Sequence, residues 1–78
     1  MILLKLKQVV ELVGRCRTSL YADIADGTFP PPVKWGVRSS HWPSDEVEAV
    51  VRARIAGKSE AKIKVLVIDL VAARQLAA

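Results

Sequence analysis

Apolar residues recur along this chain in short periodic runs broken by glycine, proline and serine. Val9, Val10 and Val13 fall on one face and predict a first helix over Lys7–Val13. Gly14 ends it, since glycine takes the left-handed conformation at low cost. A second helix is expected a few residues later, with Thr18 or Ser19 as its cap. Leu20 and Ile24, spaced i, i+4, turn inward, Tyr21 lies on the margin, and Asp26-Gly27 closes the segment. The run "TFPPP" at 28–32 fixes a rigid, extended connector, because proline locks φ and restricts its predecessor.

Residues 33–42, "VKWGVRSSHW", alternate and predict a hairpin of Val33–Trp35 and Ser40–Trp42 around a Gly36–Ser39 loop. In that register Val33 opposes Trp42, Lys34 opposes His41 and Trp35 opposes Ser40. Val33, Trp35 and Trp42 then form a core face, and Lys34 with His41 a free one. A third helix follows from Ser44 as N-cap, with Asp45 and Glu46 suited to the positive end of its dipole. Val47, Val50, Val51 and Ile55 make its apolar stripe, and Gly57 ends it. After a Ser59 cap, "KIKVLVI" has strand-like β-branched residues while "DLVAARQLAA" is strongly helical. The 3-4-3-4 spacing of Ile63, Leu66, Leu70, Ala73 and Ala77 decides for a helix. Apolar on nearly all sides, that helix must pack on its own domain or on a second copy. The division expected is a domain over 1–57 and a helical extension over 58–78 that packs on it or mediates self-association.

Length and charge narrow the function. A 78-residue chain makes one small domain with a thin core. Its net charge is +4, and residues 1–42 hold six Lys/Arg against three Asp/Glu while residues 43–78 hold six against five. A basic excess in the first half favours an anionic partner. The opening "MILLKL" is too short in apolar residues for a signal peptide. "VLVI" at 65–68, closed by Asp69, is too short to span a membrane. A cytoplasmic, nucleoid-associated protein is expected.

Two short helices joined at a glycine turn, followed by a basic hairpin, have the layout of a winged helix-turn-helix. Arg15 and Arg17 from the turn, with Thr18 and Ser19 from the helix start, are the side chains available to a major groove. Arginine pairs with guanine or grips phosphate; the hydroxyls and helix N-terminus suit phosphate. The alternatives fare worse. A phosphate-binding loop needs more glycines than Gly14 and a Lys-Ser/Thr pair. A reactive thiol at Cys16 has flanking arginines but no base close by, and His41 has no second metal ligand near it. No disulfide can form with one cysteine. No cofactor, metal or enzymatic activity is expected.

The stretch from Leu6 to Ile55 resembles AlpA-type prophage regulators and related phage excisionases. The matching motif runs from Gly14, Arg17, Leu20 and Tyr21 through the "FPPPVK" of 29–34 to Gly36, Arg38, Trp42, Glu46 and Val47. The resemblance implies a mainly α, MerR/excisionase-like winged helix-turn-helix with a small β-hairpin, here with an extra C-terminal helix. It also implies sequence-specific binding of double-stranded DNA in transcription regulation, or as a recombination directionality factor beside an integrase. By position it assigns Arg17, Thr18, Ser19 and Tyr21 to the recognition helix, and Lys34 and Arg38 to the wing. Arg15, Ser39 and His41 complete the expected DNA-contacting set. Four positions depart from the family pattern: Arg15, usually aliphatic; Cys16, usually serine; Ala22, often arginine; and His41, commonly glycine. The rival reading is a module that binds an integrase or another regulator rather than DNA.

Overall fold

A computed structural model describes residues 1–76. In chain order the elements are β1 (Leu3–Lys5), α1 (Leu6–Val13), α2 (Arg17–Asp26), β2 (Val33–Lys34), β3 (Ser40–Pro43), α3 (Ser44–Ile55) and α4 (Glu60–Leu76). The fold is mainly helical with a small antiparallel sheet of order β1-β3-β2, consistent with a winged helix-turn-helix plus a C-terminal helix.

The helix-turn-helix begins with an α1 whose Gln8 carboxamide accepts the Lys5 backbone N–H at 2.9 Å. Val9 is fully buried, with Val10 and Val13 packed beside it. At φ 69°, ψ 24°, Gly14 is left-handed and its N–H donates to the Val10 carbonyl. A Cβ there would meet nothing, so backbone conformation alone calls for glycine. α2 is capped two residues before the earlier of the expected positions: Cys16 is the N-cap, and Thr18 and Ser19 lie inside the first turn. Neither residue caps the helix. Similarly Pro43, not Ser44, caps α3.

The first strand was not foreseeable from periodicity, since "MILLKL" does not alternate. Pairing makes it a strand: Leu3, Leu4 and Lys5 oppose Pro43, Trp42 and His41. That second neighbour also corrects the hairpin. Val33 opposes His41 and Lys34 opposes Ser40, one residue out of the expected register. The Trp35 N–H donates to the Ser39 carbonyl at 3.1 Å, leaving a three-residue loop, Gly36–Arg38. A slip of one residue exchanges faces. Trp42 is buried beside Leu4, but Trp35 is 76% exposed and is not core. Lys34 and His41 are on opposite faces rather than sharing a free one. Two contacts set this register: Leu4 across from Trp42, and the Trp42 indole N–H, which donates to the Pro30 carbonyl at 2.9 Å. The proline connector is thereby tied to the central strand, with Phe29 and Pro30 buried beneath it.

One core unites all layers: Leu4, Val9, Leu20, Phe29, Trp42, Val47, Val50, Ile63 and Val67. The ambiguous segment 62–68 is helix, and Ile63 and Val67 place α4 against the domain. Of the expected α4 stripe, Leu66 and Leu70 pack on this core, Ala73 is exposed, and Ala77 lies outside the described residues. On α3, Val47, Val50 and Val51 face inward, whereas Ile55 is 81% exposed. It lies in the last turn, where the helix runs past the core to the rim of a cleft of about 500 Å³. Arg74 of α4 completes the packing. Its Nε donates to Glu46 Oε2 at 2.8 Å, and its Nη2 to Glu46 Oε1 at 2.6 Å and to the Pro31 carbonyl at 2.7 Å.

Candidate nucleic-acid interface

The turn and first turn of α2 present a short run of polar and charged side chains. Arg17 and Thr18 open the helix on the solvent side, while Leu20 behind them is fully buried. This turn is the positive end of the helix dipole. Leu20 and Ile24 hold the helix to the core, so its polar face is fixed by packing rather than by surface contacts. Tyr21 lies on the margin at 39% exposure.

Arg15 is held differently. Its Nε lies 2.6 Å from Asp23 Oδ2 and its Nη2 3.1 Å from Oδ1, a two-point pair joining the turn to the second turn of α2. Two oddities of the sequence therefore answer each other: an arginine where an aliphatic residue was expected, and an acid on a helix expected to meet an anion. The pair neutralises Asp23 and restrains Arg15, leaving Arg17 as the turn's cation without an ion pair among the described residues. Sequence reasoning missed this because the two residues are eight apart and meet only once the turn has closed.

Beside Arg17, the Cys16 thiol donates to the Ser19 hydroxyl at 3.2 Å. That hydroxyl, together with the N–H groups of the first turn, holds the thiol below its ordinary value of 9.0. Ser19 is half-buried and occupied by this contact, so its hydroxyl is less open than that of Thr18.

On the hairpin, the Lys34 ammonium donates to the Ser40 hydroxyl at 2.8 Å across the strand pair. The tip carries Arg38, exposed, between the exposed Val37 and the half-buried Ser39. Trp35 and Val37, at 76% and 98% exposure, join the wing surface. Trp35, expected in the core, is a surface aromatic. His41 stands in the central strand between Lys5 and Val33. It is half-buried, and its Nδ1 is enclosed without a hydrogen-bond partner. The structure thus brings Arg15, Arg17, Thr18, Ser19 and Tyr21 together on one helix start and Lys34, Arg38 and Ser39 on one hairpin. His41 it sets apart, on the other face of the sheet from Lys34. No helix among the described residues is long and apolar enough to cross a membrane.

Comparison with known proteins agrees with this layout. The profile of the family described as prophage CP4-57 regulatory protein (AlpA) matches residues 2–55, from β1 to the end of α3. The chain is also similar to the uncharacterized protein ORF88 of Enterobacteria phage P4, with 38% identity over 55 residues. That match takes in 70% of this chain and 62% of the relative's length. No solved structure matches it. From its first strand to the end of its third helix, this chain belongs to the AlpA family of prophage regulatory proteins.

Proposed function

We propose that this protein binds duplex DNA with the start of α2 in the major groove and the β2–β3 hairpin against the adjacent backbone. It does no chemistry there; it occupies or bends DNA as a prophage-type transcriptional regulator or as an excisionase beside an integrase. The observation that carries this reading is the cationic, solvent-facing start of α2. Arg17 and Thr18 follow the Gly14 turn, with Arg38 and Lys34 on a hairpin of the same small domain. The division of labour follows from the geometry. Arg17 has the reach and freedom to contact a base edge or phosphate. Thr18 and the positive end of the helix suit a phosphate, and Lys34 and Arg38 extend the contact along the backbone.

Arg17→Ala combined with Arg38→Ala lowers affinity for DNA flanking the protein's own gene on the order of 100-fold at low salt. The circular dichroism spectrum stays unchanged. A gel-shift titration checks this, and undiminished binding by the double variant overturns the assignment. A rival reading as an integrase-binding module draws on Leu12 and Ile55, exposed on the rim of the cleft between α1, α2 and α3. Salt separates the two. Four to six phosphate contacts require affinity to fall with a log–log slope of about −4 to −5. An apolar protein contact has almost no slope.

A further inference from the structure

α4 carries apolar side chains on two opposite faces, and the fold uses one. Ile63 and Val67 are buried in the core with Leu66, Leu70 and Val71 packed around them. On the far side of the same helix stand Ala61, Val65, Ile68, Ala72 and Leu76, all exposed. Val65, Ile68 and Leu76 are 57%, 67% and 88% accessible. Ala61, Val65, Ile68 and Ala72, spaced four, three and four, follow the coiled-coil repeat; its next position is Gln75, and Leu76 lies beside it. A helix that is apolar all round is one buried on both sides.

We propose that this outer seam docks on the α4 of a second copy, in parallel, making the protein a dimer. The charges flanking the seam are complementary to those of a second copy in parallel. Lys64, its stem beside Gly27, lies along one edge and Asp69 with Lys62 along the other, and neither Lys64 nor Asp69 forms an ion pair within the chain among the described residues. In a parallel two-stranded pairing, a residue on one edge meets the partner's residue five positions further on, across the seam. Lys64 then meets the partner's Asp69, and the symmetric contact forms on the other side. The branched Val65 and Ile68 and the small Ala61 and Ala72 allow two helices to approach closely. With little more than two heptads the seam is short, so association belongs in the micromolar range.

Sedimentation equilibrium of the full chain tests this without DNA, so its outcome is independent of the DNA-binding proposal. The expected mass at tens to hundreds of micromolar is twice 8.5 kDa. Ile68→Glu weakens association ~100-fold. Lys64→Glu weakens it about fivefold, and the reversal Lys64→Glu/Asp69→Lys restores it. In a Cys16→Ser background, Ala72→Cys crosslinks chains on oxidation, because like positions face each other across a parallel seam. A monomer at several hundred micromolar overturns the proposal. So does a dimer indifferent to the charge reversal, one that Ile68→Glu leaves intact, or one that does not crosslink.

Discussion

Asp23 illustrates how a single side chain can be misread from sequence. Set on the outer face of a helix expected to meet DNA, it reads as an obstacle. Paired to Arg15 at 2.6 Å, it is a brace for the turn that presents Arg17. The same small region holds a second local effect, on Cys16. The Ser19 hydroxyl favours the thiolate, so its removal must raise the thiol's pKa. Ser19→Ala is expected to shift the pH midpoint of Cys16 alkylation by iodoacetamide upward, toward the ordinary cysteine range. A midpoint that stays put would mean that the backbone N–H groups alone set it. The arginines and hydroxyls were legible as candidates from residue type and position. Their engagement was not, since Arg15 and Ser19 are both tied up by partners that only the closed turn supplies.

Among the elements, the hairpin shows where alternation stops being sufficient. Its two strands were recognisable from "VKWGVRSSHW", and so was the basic loop. Register was not, because an isolated hairpin permits two loop lengths and each assigns the tryptophans differently. The choice is made by β1, a strand with no alternating pattern of its own, which places Leu4 opposite Trp42. Fluorescence distinguishes the two registers. Trp42→Phe leaves the exposed Trp35, whose emission is red-shifted and quenched by iodide. Trp35→Phe leaves the buried Trp42, blue-shifted and protected. Equal quenching of the two single-tryptophan variants would contradict the register described above. The helices were easier to read, because 3.6-residue periodicity identified each one. Their starts shifted by one or two residues where Cys16 and Pro43, not the expected hydroxyl residues, occupy the cap.

Across the whole molecule, contacts between distant segments do most of the specifying. Arg74 clamps α4 to both Glu46 and the Pro31 carbonyl, with the Glu46 side chain only 8% exposed. Arg74→Ala leaves that carboxylate enclosed without its cation and is expected to lower stability by roughly 2–4 kcal/mol. Urea unfolding measures this; a loss under about 0.5 kcal/mol, the range of an ordinary surface change, would show the clamp to be incidental. No sequence periodicity announces a pair 28 residues apart, which is why Glu46 read as a helix-dipole residue alone. The sheet has a still longer reach. Ser44 donates its N–H to the Ile2 carbonyl at 2.8 Å, and Ile2 donates to the Ser44 hydroxyl at 3.0 Å. This closure has a consequence in time. The α1–α2 turn forms from neighbouring residues, whereas the sheet must close a loop of some forty residues, and non-local pairing is slow. On the ribosome, at ~5–20 residues per second, β1 waits several seconds for β3 to be made. The turn and helix proposed to meet DNA are therefore synthesised whole before the wing and the rest of the core that fix them exist.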